Sequence, residues 1–274
     1  MKKYILNLAL LAMTCAVVLL SIWGPEAVSR YKDRAVLNQI RTQEEETGGE
    51  GYRYQLSSNE KLYILSQCLN SQSVPGTEQS FQTKESDAAY QELTGTYAFV
   101  VNHNGPSGQE ITDEQIYQTA NDGIKMLKEL GILPDAIKEV QPDSYQATLY
   151  SAIDVPEPRN NVAVWKLNLL GNLQNANKEN RLIDAYIDAD DGKIYEFYVR
   201  SQLEWEEIDP DALIAAWGSY MGLTACEAYE SDNPLLETTP YYKKYVFHGA
   251  EGERTIVTVG FYDGINELFL KISK

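Results

Sequence analysis

Arg181–Arg200, RLIDAYIDADDGKIYEFYVR, is two alternating runs around Asp191-Gly192. Asp-Gly suits a two-residue type I′ turn, in which both central residues take φ > 0. Before the turn Ile183, Ala185 and Ile187 share one face and Asp184, Tyr186 and Asp188 the other. After it Tyr195, Phe197 and Val199 alternate with Ile194, Glu196 and Tyr198. Period-two alternation predicts a hairpin with one buried face. The pattern returns in Arg254–Ile272, turning at Asp263-Gly264, with Val257, Val259 and Phe261 together before the turn and Leu268, Leu270 and Ile272 after it.

Each hairpin follows a helix signal. Thr112 and Gln115 form a capping box, Ile111 and Ile116 a hydrophobic staple, and Ile116, Ala120, Ile124, Leu127 and Leu130 an apolar stripe that Gly131 and Pro134 end. Strands are predicted over Tyr145–Ile153 and Asn161–Leu170, the latter with Ala163, Trp165, Leu167 and Leu169 facing the core. Later, Asp209 is an N-cap, Pro210 a first-turn proline and Gly222 a stop; Leu213, Ala216, Trp217 and Tyr220 are the stripe, and a strand over Tyr242–His248 follows. Helix, strands and Asp-Gly hairpin thus occur twice, through internal duplication or through recurrence of a common pattern. The expected fold is α+β: an N-terminal transmembrane helix, then two helix-plus-antiparallel-sheet modules.

The start of the chain has a different character. Lys2 and Lys3 precede a nearly unbroken apolar run, Tyr4–Trp23, about long enough to span a bilayer. It reads as an uncleaved signal anchor, although Ala27-Val28-Ser29 would serve for cleavage. Lys2 and Lys3 before the span and Arg30, Lys32 and Arg34 after it make the positive-inside count ambiguous. The short leading tail favours a single-pass protein with its C-terminal bulk outside the cell membrane. The predicted division is 1–23 anchor, 24–51 juxtamembrane helix and linker, 52–110 irregular α+β lead-in, 111–200 first module and 201–274 second module. Within the lead-in, Ser57 and Glu60 make a capping box for a short helix, and Tyr97–Asn102 reads as a strand.

Among 274 residues the net charge of −17 opposes non-specific binding to nucleic acid, whose phosphates call for Lys and Arg. Cys68 and Cys226 lack metal or redox spacing; they could pair in an oxidising compartment or stand as free thiols, and Cys15 lies in the apolar run. His103 and His248 have no evident orienting partner, and no nucleophile-elbow, zincin or P-loop motif is present. Asp188, Asp190 and Asp191 suggest calcium, but an EF-hand register places Ile187 first and Tyr198 twelfth, so they read as a solvated acidic turn. Glu204, Glu206 and Glu207 could supply a hydrolytic carboxylate pair, or be a solvated run before a helix. The 19 Tyr could form an aromatic patch for peptide or glycan, or ordinary sheet surface. No catalytic residue, cofactor or metal ligand is predicted.

Ala185–Phe197, AYIDADDGKIYEF, resembles the closing hairpin of the PepSY domain, and Val259–Ile272, VGFYDGINELFLKI, is similar to a more divergent copy without the first acidic position. The resemblance covers 112–200 and, more weakly, 208–273. It implies an extracytoplasmic module with an inhibitory or regulatory binding role, found beside secreted peptidases and in membrane-anchored bacterial proteins. It carries over no catalytic residue. The topology is also similar to that of extracytoplasmic regulators of bacterial sensor kinases. The expected function is therefore a membrane-anchored, non-catalytic binding or regulatory protein with a protein partner. The alternative is a hydrolase of cell-wall glycan or peptide.

Overall fold

The computed structural model describes Met13 and residues 53–71, 96–108, 110–171, 180–229, 239–249 and 252–273. Almost all of Tyr4–Trp23, the juxtamembrane and linker segments, residues 72–95 and most of the Asn-rich connection 171–180 lie outside these residues. Among the described residues no helix is long and apolar enough to cross a membrane.

Among the described residues nine strands form one antiparallel sheet: β1 Tyr97–Val101, β2 Tyr145–Asp154, β3 Asn161–Leu169, β4 Arg181–Asp188, β5 Ile194–Arg200, β6 Cys226–Tyr229, β7 Tyr241–His248, β8 Arg254–Tyr262 and β9 Glu267–Ser273. The described helices are α1 Ser58–Ser71, α2 Ile116–Glu129 and α3 Pro210–Met221. The spatial order is β1-β2-β3-β4-β5-β9-β8-β7-β6. This corrects the expectation of two separate helix-plus-sheet modules. The last strands of the two hairpins pair with each other, Phe197 opposite Leu270 and Arg200 opposite Glu267, and join both halves. Two independent modules would leave the inner edges of β5 and β9 with open backbone groups, whereas pairing satisfies them. One signal for this lies in the strands themselves. Ile194–Phe197 and Glu267–Leu270 are each buried at four consecutive positions, as interior strands covered on both faces are.

α2 and α3 lie on one face. Trp165 Nε1 donates to Ile111 O just before α2, and Trp217 Nε1 of α3 donates to Ile194 O. Leu127, Leu167, Leu182, Phe197, Val199, Val257, Val259 and Leu270 are fully enclosed in the resulting core. Leu130, expected on the α2 stripe, is 41% exposed, because the helix stops at Glu129 and Gly131 turns the chain at φ +70°. The Thr112 box is half formed: Gln115 Oε1 accepts from Thr112 N, and the helix proper begins at Ile116. The start of α3 is as expected, with Asp209 Oδ1 accepting from Asp211 N and Ala212 N at 3.1 Å, Pro210 next, and Gly222 left-handed at its end.

α1 lies on the opposite face. Ser57 N donates to Glu60 Oε2 at 2.7 Å and Glu60 N to Ser57 Oγ at 3.4 Å, which closes its capping box. The helix touches β1, β2 and β3 and also β8 and β9, so it bridges both halves of the sheet. Leu62, Leu65 and Cys68 are its buried stripe, and Val162 and Val164 are buried on this side of β3. The short strand β6 is an edge that local patterning does not reveal.

Neither hairpin turn is type I′. Between β4 and β5 the loop is Ala189–Lys193, closed by Gly192 N to Asp188 O, with Gly192 at φ +74° and no positive φ at Asp191. Between β8 and β9 a 3₁₀ turn, Asp263–Ile265, is followed by Asn266 at φ +51°, while Gly264 has no positive φ. Two bulges also reset the first hairpin. Leu182, not Ile183, shares the core face with Ala185, and Tyr195 falls outside the Ile187–Ile194 pairing. An extra residue reverses every side chain beyond it.

Candidate functional site

Two clusters of polar side chains stand on the α1 face. The first is at the tip of the β4–β5 hairpin. Lys61 Nζ of α1 reaches Asp188 Oδ2 and Asp190 Oδ2, both at 2.9 Å. Arg53 reaches Asp190 Oδ1 at 2.7 Å and Glu110 Oε1 at 2.6 Å. Asp188, 1% exposed, also accepts from Tyr195 OH at 2.6 Å and from Asp190 N at 2.7 Å. The expectation of a solvated acidic turn is therefore corrected at Asp188 and Asp190. Burial tends to raise the Asp190 carboxyl, but Lys61 and Arg53 outweigh it and hold it below 3.8. Burial likewise tends to lower Lys61, and the two aspartates carry it above 10.5. The cluster fastens α1, through Lys61, and the segment ahead of it, through Arg53, to the hairpin, so its chemistry is that of a clasp.

The second cluster lies towards the other end of this face, away from Asp188. Strand pairing sets Lys166 opposite Tyr186, Tyr186 opposite Glu196, and Asp184 opposite both Asn168 and Tyr198. Lys166 Nζ lies 3.5 Å from Asp184 Oδ2 and 5.1 Å from the Tyr186 ring centroid. With its amide in the orientation that satisfies both ends, Asn168 donates to both Asp184 oxygens at 3.1 Å. Rings flank these charges. Phe99 stacks on Tyr150 at 4.7 Å and meets Tyr186 edge-on at 5.8 Å. Across the β5–β9 pairing, Phe269 stacks on Tyr198 at 5.6 Å, and on its other side it stacks on Tyr262 at 4.7 Å. Phe99, Tyr150, Lys166, Asp184, Tyr198 and Tyr262 are half-buried.

The electrostatics follow from partial desolvation. Burial raises the Asp184 carboxyl, with Lys166 opposing. Burial pulls the Lys166 ammonium down, but Asp184, Tyr186 and Tyr150 carry it above 10.5. Burial pushes Tyr186 up to about 12. It also raises Glu196 from 4.5 to about 7, although Glu196 Oε2 accepts from Ile272 N at 2.9 Å. The arrangement offers a cation, carboxylates, an amide and flat rings on one surface, which suits polar and aromatic recognition.

The other sequence candidates are dispersed. Glu204 N donates to Glu207 Oε2 across the Trp205–Glu207 turn, so this pair caps a 3₁₀ helix and lies outside both clusters. His103 is exposed in a loop, and His248 Nε2 lies 3.7 Å from Glu227 Oε2. Cys68 and Cys226 are not joined in a disulfide with each other. Burial pushes the Cys68 thiol up to about 12, and its sulfur donates to Ala98 O, so it is an unreactive core group. An open groove of about 540 Å³ lies between Pro240, Tyr241, Tyr262 and Ile265. Sequence reading passed over Lys166, Asp184 and Glu196, because a charge on the outward face of a strand looks like solvent-facing polarity. The usable signal is density: Lys166, Asn168, Asp184 and Glu196 all fall in strands whose other face is strongly apolar.

No family model matches this chain, and neither a curated protein nor a solved structure does.

Proposed function

We propose that this chain is a membrane-anchored, extracytoplasmic binding or regulatory protein without a reaction of its own, and that it recognises a protein partner through the ring-and-charge surface around Lys166 and Asp184. The single observation that carries the reading is that surface: half-buried Phe99, Tyr150, Tyr198 and Tyr262 flank an ion pair on one face of the sheet. Aromatic rings give contact area at little entropic cost, and a partly desolvated ion pair gives orientation. The Tyr4–Trp23 run supports placement at the membrane, and the likeness of Ala185–Phe197 to the PepSY hairpin supports a regulatory role.

The test is capture from solubilised membranes of the producing cells with the full-length chain as bait. A protein retained by the wild type and lost with Lys166→Glu or Tyr150→Ala, but kept with Met126→Ala on the outer side of α2, supports the reading. Equal retention by all variants removes this surface from the interaction.

The alternative, a cell-wall hydrolase, draws on one observation: Glu196 and Asp184 are neighbouring carboxyls with raised pKa values. Release of soluble fragments from purified cell wall by the wild type and not by Glu196→Gln would replace the binding reading.

A further inference from the structure

The seam between the two halves of the sheet is short and ends on a side chain. β5 and β9 pair only over Phe197–Arg200 and Glu267–Leu270, whereas β8 and β9 pair from Ile256 with Ser273 to Tyr262 with Glu267. At one end Ser201 N donates to Asn266 O and closes the ladder with backbone. At the other end the ladder stops at Phe197, and the next available donor of β9, Ile272 N, is taken by Glu196 Oε2 at 2.9 Å. Glu196 is 5% exposed. A titratable group thus stands in for a backbone acceptor where the two half-sheets part.

We propose that Glu196 is a proton-operated latch of this seam, closed when its carboxyl is protonated and loosened when it ionises. The proton comes from solvent and returns to it, and only the carboxyl O–H bond forms and breaks. The charged groups facing Glu196 decide the direction. Asp184 on β4 repels a second negative charge, and Lys166 on β3 is already paired with Asp184 at 3.5 Å. Lys271 on β9 is attractive but its side chain is exposed, where solvent screens it. The neighbouring hydroxyls, Tyr186 and Tyr198, remain neutral, both being raised by burial. An ionised Glu196 gains a stronger bond from Ile272 N–H, yet lacks a full counter-charge in a site that excludes water. Burial outweighs the hydrogen bond, and the carboxyl titrates near 7 rather than near 4.5.

The sign follows by linkage. The closed state binds the proton more tightly than an opened state in which Glu196 is hydrated, so closure weakens as pH rises from about 4.5 through about 7. With those two values the opening constant rises about tenfold between pH 6 and pH 8.

Hydrogen exchange of the full-length chain, corrected for intrinsic rates, reads this at residues 268–273. The expected result is about a tenfold loss of protection from pH 6 to pH 8 in the wild type, and none in Glu196→Gln, which keeps the shape and removes the charge. Unchanged protection in the wild type, or an equal loss in the Gln variant, overturns the latch. Carbon-13 titration of labelled Glu carboxyls in the wild type needs no variant to fold. A resonance with a midpoint near 7 that belongs to Glu196 supports the latch, and a Glu196 midpoint below 5 overturns it.

Discussion

The loop from β4 to β5 and the loop from β8 to β9 both contain Asp-Gly, yet the dipeptide has a different role in each. In the first, Gly192 is left-handed at φ +74° and an added Cβ would lie 2.5 Å from Thr119 Cγ2 of α2. The aspartates around it are committed: Asp188 and Asp190 to Lys61, and Asp190 also to Arg53. In the second, Gly264 has open space around its Cβ direction and no positive φ, and Asn266 takes the left-handed position instead. Local sequence specifies that the chain turns. What packs against the turn decides whether it is a connection or an anchored part of the core.

Unfolding of the full-length chain in urea can sharpen or break this contrast. The largest effect is expected at the centre of the first half, where Phe197 has no exposure; Phe197→Ala should cost about 3–5 kcal/mol by leaving a cavity. Gly192→Ala should follow at about 1–3 kcal/mol, since it combines a left-handed backbone with a clash against Thr119. Asp190→Ala comes third, at about 1 kcal/mol, because the carboxylate is partly exposed and screened although it has two cationic partners. Its contribution has a pH signature. The folded pKa is depressed below 3.8, so the stabilisation is present above that value and is lost as pH falls through the folded pKa. Wild type and Asp190→Ala should thus converge in acid; a constant difference down to strongly acidic pH would mean that the ion pairs are not its source. Gly264→Ala is expected to be the smallest, within about 0.5 kcal/mol of wild type. Equal costs at Gly192 and Gly264 would show the two turns to be equivalent after all.

Much of the local structure is legible in the amino-acid sequence. Asp209, Pro210 and Gly222 bound α3 because capping is a matter of a few adjacent residues. Ser57 and Glu60 start α1 for the same reason. The core faces of β3, β8 and β9 follow from alternation, with Trp165, Val257 and Leu270 where the pattern puts them. The face of β4 followed it less well, because the bulge at Ile183 shifts the phase by one residue and leaves no local mark. The ring-and-charge surface was not legible as a site. Lys166 and Asp184 lie on different strands, and their register brings them to 3.5 Å.

The sequence by itself determined where the chain turns, which residues cap its helices and which side of most strands is apolar, since each is settled by neighbours a few positions away. Only the tertiary structure decided that β5 meets β9, so that two similar halves become one sheet, and that α1 crosses to the other face and places Lys61 on Asp188. A strand edge carries the same N–H and C=O groups whichever strand it will meet, so the partner is chosen by the global burial of apolar surface and the satisfaction of every backbone group. A lysine in a helix likewise does not record which aspartate, 127 positions away, will lie beneath it.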